Sequence, residues 1–131
     1  MRYFGGKARI SKPLSEFINS ELKEGQAFYD LFCGSCNVVS KIDSNRKRIA
    51  SDNHAQLIAL LKHTQVGLDL PSDISEEQYA RAKNNEYADW LTGFIGFGCS
   101  FAGKYFGGYA RGDGKRNDAL NAKRSLLKKM V

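Results

Sequence analysis

The stretch YDLFCGSCNV, residues 29–38, carries an apolar run into an acid and then into a tight cluster of small residues. A second short run, Ile49, Ala50 and Ser51, ends at Asp52. Strand, small-residue turn, short helix, strand, acid and longer helix, in that order, is a βαβ-like pattern, and it constrains the fold more than any other feature of the chain. Residues 26–31 read as the first strand. Ala27, Phe28, Tyr29 and Leu31 show little alternation, which predicts burial on both faces, as in a parallel sheet. Residues 37–42 form the short helix and residues 47–51 the second strand. Asp52 or Asn53 is expected to cap a helix over 54–66, where Leu57, Ile58 and Leu61 share a face.

Ahead of this unit, Ser11, Lys12 and Pro13 open a helix, with proline in the first turn where its missing N–H costs nothing. Leu14, Phe17, Ile18 and Leu22 follow at helical spacing, and Gly25 closes the segment. The character changes after Gly67. Residues 69–73 form a polar loop, and Ser75 with Gln78 makes a capping box for a helix reaching Asn84. Residues 86–95 read as helix. Residues 96–114 interleave Phe97, Phe101, Tyr105, Phe106 and Tyr109 with glycines, and little regular structure is expected there. Residues 117–130 return to helix, with Ala119, Ala122, Leu126 and Met130 on one stripe.

The chain has 131 residues and a net charge of +6. That length fits one domain able to bury a sizeable core. No apolar run reaches the roughly 18 residues that span a membrane, and the first residues lack a signal peptide's apolar region; a cytoplasmic protein is expected. The positive excess lies late in the chain: Lys104, Arg111, Lys115, Arg116, Lys123, Arg124, Lys128 and Lys129 face only Asp113 and Asp118. Such an end suits a polyanion, nucleic acid first, or is a solvated helix face.

Three cysteines make an odd count, against a disulfide framework. Cys33 and Cys36 stand where a thioredoxin-like dithiol stands, after a strand and before a helix. The later proline of such sites has no match, because Pro71 lies in the polar loop. A zinc site would need two more ligands, from Cys99 with His54 or His63, and no second pair has metal spacing. A third reading is a ligand turn, in which small residues let backbone approach a bound molecule and a carboxylate about 20 residues on holds ribose hydroxyls. Asp52 has that place, so the geometry suits an adenosine-containing ligand, although an acid after a strand is often a helix cap.

Four segments in order resemble the Dam-like, D12 class N6-adenine DNA methyltransferases, phage types above all. Arg2, Tyr3, Phe4, Gly5, Gly6 and Lys7 resemble their N-terminal cofactor motif. Residues 30–37, DLFCGSCN, are similar to the methionine-side turn, residues 49–53, IASDN, to the ribose-acid motif, and residues 97–111 to a segment that precedes the catalytic strand. The resemblance implies a partial Rossmann-like methyltransferase α/β fold with a helical, Gly/aromatic-rich target-recognition region. Residues 1–66 would be the partial S-adenosylmethionine-binding region and residues 67–131 the recognition-like region with its basic C-terminal helix. By the same resemblance Tyr3 packs near the adenine and Lys7 helps hold the cofactor. Asp30 and Phe32 line the methionine and ribose side, Gly34 leaves room for the sulfonium chain, and Asp52 binds the ribose hydroxyls. Lys104, Tyr109, Arg111, Lys115 and Arg116 are the DNA candidates, whereas Phe94, Phe97, Phe101 and Phe106 are expected mostly in the core. Cys33 and Cys36 then replace small residues of a cofactor turn, with no thiol chemistry required and no metal expected.

The family holds the flipped adenine with an Asp-Pro-Pro-Tyr motif on a later strand. The two prolines here follow Lys12 and Leu70, so no Asp-Pro dipeptide exists. The expectation is a truncated methyltransferase that keeps weak S-adenosylmethionine and DNA binding and is inactive alone. The alternative is a phage-encoded, non-enzymatic inhibitor of a host defence system, anti-CRISPR or anti-restriction, on the same scaffold. The first strand would keep an open apolar edge, which predicts a homodimer or a protein partner.

Overall fold

The structure is a computed structural model, and it describes residues 1–111 and 117–129. The described residues form five α-helices, two 3-10 turns and two short strands, the strands in one parallel pairing. Strand β1, Phe28–Asp30, lies beside strand β2, Arg48–Ala50, with Phe28 opposite Arg48, Tyr29 opposite Ile49 and Asp30 opposite Ala50. The connection passes through the 33–36 turn and one 3-10 turn, Val39–Lys41, instead of the expected short helix. The chain is thus a mixture of helices and a small parallel sheet, compatible with the expected α/β class.

The strands are shorter and more open than their sequence suggested. Tyr29 is 57% and Leu31 63% exposed. Burial on both faces is therefore corrected: in a two-stranded sheet, no described element covers the face that Tyr29 presents. Hydrogen bonding nevertheless runs past the strand ends, with Ser51 N donating to Asp30 O at 2.8 Å and Cys33 N to Ser51 O at 2.8 Å.

Helix α1 is Ser11–Glu21, with Pro13 in its first turn as expected. Its buried residues are Ser11 and Ser15, and Phe17 is exposed. Lys41 Nζ donates to Ser11 Oγ at 2.8 Å, so this helix docks on the 3-10 turn through polar groups. Helix α2 is Ala55–Gln65, and its cap is His54, not Asp52 or Asn53. The His54 Nδ1 accepts from Leu57 N at 3.2 Å, the work usually done by a short oxygen-bearing side chain. Helix α3, Glu76–Lys83, opens on the expected capping box of Ser75 and Gln78.

Helix α4, Asp89–Gly98, runs three residues further than the sequence indicated and is buried from Thr92 to Gly98. Its glycines are contact points. A β-carbon on Gly93 would stand 2.3 Å from the Gln56 carbonyl oxygen of α2, and one on Gly98 would stand 2.8 Å from the Ala122 β-carbon. Helix α5, Asp118–Lys129, supplies that Ala122 and also buries Ala119 and Leu126. Met130, the last member of the expected stripe, lies outside the described residues. Leu57, Leu60 and Leu61 of α2, Phe94, Ile95 and Phe97 of α4, Tyr79 and Ala82 of α3, and the buried side of α5 form one continuous apolar cluster.

The Gly/aromatic stretch is more ordered than its composition implied. Ser100 and Tyr109 form an antiparallel bridge around a 3-10 turn, Phe101–Gly103. Phe94 and Phe97 are buried and Phe106 half-buried, as expected of core residues; Phe101 is 69% exposed. No described helix is long and apolar enough to cross a membrane.

Candidate cofactor site

The 33–36 turn leaves β1 and is held from below by β2. Cys36 N donates to Cys33 O at 2.9 Å, closing the turn. Gly34, between them, adopts φ +52°, a conformation that costs a residue with a β-carbon about 1–2 kcal/mol. Its N–H donates to Asp52 Oδ2 at 3.0 Å, and the other oxygen, Oδ1, accepts from His54 N at 3.1 Å. Asp52 therefore joins the turn to the start of α2. Each of its oxygens keeps a further acceptor site, since a carboxylate offers about four in all.

The N-terminal segment closes the other wall. Gly6 N donates to Tyr3 O at 2.8 Å and Phe4 N to Gly103 O at 3.1 Å, which folds residues 3–6 back over the turn. The Tyr3 ring covers Gly34: a β-carbon there would meet Tyr3 Cε1 at 3.0 Å. Burial first, then the Asp52 carboxylate, pushes the Tyr3 phenol above its ordinary value. Lys7 Nζ donates to Gly5 O at 2.8 Å.

A cavity of about 470 Å³ lies between these walls. Tyr3, Lys7, Asp30, Phe32, Gly34 and Asp52 all line it, although they come from three separate stretches of chain. Its size is in the range of ordinary small-molecule sites. Two carboxylates, one ammonium and two aromatic rings suit a ligand with cationic and anionic groups, hydroxyls and a flat ring. The motif reading did not foresee Leu14 and Ile18 of α1, nor Phe28, which also line the cavity. The i, i+4 spacing of Leu14 and Ile18 marked a shared helix face, but nothing in the sequence said what that face met.

The nucleic-acid candidates lie elsewhere. Lys104 is exposed, and its stem packs over Gly107. The Tyr109 hydroxyl donates to Ile74 O at 2.6 Å, and its ring meets Tyr79 edge-on. The Arg111 guanidinium pairs with Glu76 at the surface. Lys115 and Arg116 lie outside the described residues.

The thioredoxin-like and zinc alternatives meet a different geometry from the one they need. No α-helix begins at Cys36. The hydrogen bond with Cys36, then burial, pushes the Cys33 thiol well above the ordinary thiol range, opposite to an activated first cysteine. Among the described residues, no three His, Cys, Asp or Glu side chains gather as a metal centre requires.

No curated protein and no solved structure matches the chain. The family model for D12 class N6 adenine-specific DNA methyltransferases matches residues 3–95, a span that contains all six cavity residues named above and ends before Lys104. A match over most of the chain, with a glycine turn and the Asp52 carboxylate meeting at one cavity inside it, leaves one conclusion: the chain belongs to the D12 class N6 adenine-specific DNA methyltransferase family.

Proposed function

We propose that residues 1–66 bind S-adenosylmethionine in the cavity under Tyr3, and that residues 67–131 form a recognition-like region that contacts DNA. The observation that carries the first part is the convergence of Tyr3, Lys7, Asp30, Phe32, Gly34 and Asp52 on that cavity. The residues fit the cofactor. Asp52 offers acceptors to the ribose hydroxyls, and Asp30 offers a counter-charge to the amino group and sulfonium of the methionine end. Lys7 offers one to its carboxylate, and Tyr3 and Phe32 offer faces to the adenine. A side chain at position 34 would stand against the Tyr3 ring, so glycine keeps that wall thin. When bound, the cofactor supplies an electrophilic methyl group. These 131 residues contain no Asp-Pro dipeptide to hold a flipped adenine at its exocyclic amine. Alone they are expected to bind cofactor and not to methylate DNA.

For DNA, exposed Lys104 and surface Arg111, with Lys115 and Arg116, are the proposed phosphate contacts, and affinity should fall steeply with added salt. Tyr109 is the weaker candidate for base stacking, because its hydroxyl is bonded inward. The edge of β1 away from β2, which no other described strand pairs, with Tyr29, Leu31 and Phe32 exposed beside it, supports pairing with a second copy of the chain.

Calorimetry with S-adenosylmethionine tests the main reading. The wild-type chain should bind, and Asp52→Ala should weaken binding by at least about tenfold, the loss expected when hydrogen bonds to a charged group are removed. A folded wild-type chain that gives no binding heat would refute the cofactor assignment.

A further inference from the structure

Cys33 and Cys36 do more in this structure than fill a turn. The hydrogen bond from Cys36 N to Cys33 O brings their α-carbons closer than about 7 Å, and disulfides form at about 4.4–6.8 Å. The Cys33 thiol donates to Gly34 O, within the same turn, at 3.6 Å. Cys36 holds φ +65°, where glycine would sit without strain. The two sulfurs also serve different cavities. Cys33 lines the cofactor cavity, whereas Cys36 lines a separate one of about 390 Å³ behind the turn, among Arg48, Lys62 and Lys129 with no carboxylate in its wall. Both cysteines are nearly inaccessible from bulk solvent, and the second cavity is open space that adjoins Cys36.

We propose that Cys33 and Cys36 are an oxidation site: a peroxide converts the two thiols into a disulfide across the turn, and the closed turn binds S-adenosylmethionine more weakly. The second half rests on the cofactor reading given above; the first does not. The Cys36 thiolate attacks one peroxide oxygen, the O–O bond breaks, and hydroxide leaves, so sulfur is oxidised to the sulfenic acid and peroxide is reduced. The Cys33 sulfur then attacks Sγ of Cys36. The S–O bond breaks, and the departing hydroxide takes the Cys33 proton and leaves as water. Overall, two thiols and one peroxide give one disulfide and two waters.

Two surrounding features favour Cys36 as the attacking sulfur. The hydrogen bond from Cys33, helped by the Lys129 ammonium and opposed by burial, lowers the Cys36 thiol below its ordinary value. Lys129 Nζ donates to Ser35 O at 2.8 Å, which anchors that cation on the turn itself. The cofactor effect follows from Gly34, which lies between the two cysteines and holds Asp52 Oδ2. Shortening the sulfur separation to about 2.05 Å tightens the turn and draws the Gly34 N–H away from Asp52. The carboxylate then loses the bond that aligns it.

Intact-mass measurement on the full chain, titrated with hydrogen peroxide, reads the first half directly. The expected result is loss of two hydrogen atoms, restored by a thiol reductant and absent in both Cys33→Ser and Cys36→Ser. Cys99→Ser should behave as the wild type, because burial in the core pushes the Cys99 thiol up to about 12 and leaves it unreactive. Gain of oxygen without disulfide, or no change, would overturn the oxidation site. Calorimetry with S-adenosylmethionine on oxidised and reduced protein reads the second half. About tenfold weaker binding after oxidation, within the usual range of coupling between two sites, is expected. Equal affinity in both states would overturn the coupling. Should the reduced protein fail to bind cofactor, the cofactor reading and the coupling fall together, while the mass change still decides the dithiol.

Discussion

At position 34 the chain needs glycine for two separable reasons, and their sum sets the cost of losing it. The backbone lies at φ +52°, which penalises any β-carbon by about 1–2 kcal/mol. The β-carbon would also press on the Tyr3 ring at 3.0 Å. The ring must yield by a few tenths of an ångström, so the backbone term sets the loss of stability, while the displaced ring would act on the proposed cofactor binding. Gly34→Ala is expected to destabilise the chain by about 1–2 kcal/mol in chemical denaturation and to weaken S-adenosylmethionine binding beyond what lost folding explains. Unchanged stability would mean that the turn adopts another shape in solution. Asp52 shows where reading residues alone stops. An acid at the end of a strand was legible, and so was its ambiguity between ligand contact and helix cap. The bond to His54 is local, two residues on, but that the other oxygen reaches Gly34 is a three-dimensional fact, because it depends on β2 lying parallel to β1.

Helix α4 shows the same division at the scale of an element. The glycines at 96 and 98, at the start of the Gly/aromatic stretch, argued against a helix there, since each costs about 0.5–1 kcal/mol in a helix interior. The sequence reading accordingly ended the helix at residue 95, and the structure carries it to Gly98. Packing overrides propensity because each glycine admits a neighbour: the α2 backbone at 93, the Tyr105 and Phe106 rings at 96, and Ala122 at 98. Periodicity recovered α2 and α5, and the capping box recovered α3, because these signals are local, although the cap of α2 proved to be His54. It could not recover α4's end, which is fixed by partners distant in the chain. Two opposed magnitudes decide Gly93→Ala. Helix propensity favours alanine by about 1 kcal/mol. A β-carbon 2.3 Å from a backbone oxygen must separate two helices, because no side-chain rotation relieves it. Overpacking of that kind costs about 3 kcal/mol or more, so a large net fall in melting temperature is expected. A rise in melting temperature would show that α2 and α4 are not in contact at this point.

For the whole molecule, the family, the βαβ-like order and six of the residues that line the cavity could be read from motifs, because each motif is short and local turns bring its residues together. The balance of exposure could not, because it depends on how many strands the sheet contains. Phe28 N donates to Lys47 O, and Asp30 O accepts from Ser51 N. Alternate residues of β1 therefore face β2, and Tyr29 directs its own N–H and C=O toward the free edge. An unpaired edge flanked by Leu31 at 63% and Phe32 at 88% exposure is a template for another strand. If β1 pairs with its counterpart in a second copy, light scattering at tens of micromolar should give twice the 14.6 kDa chain mass. Tyr29→Pro removes the free donor while leaving the β1–β2 hydrogen bonds in place, and should return the protein to a monomer. Leu31→Lys should do the same by charging the edge, without proline's constraint on the backbone. A wild-type monomer at that concentration would refute self-pairing. Dimers that survive both substitutions would move the contact away from β1, to the other exposed apolar side chains around Phe17 on α1 or Phe101 in the aromatic stretch.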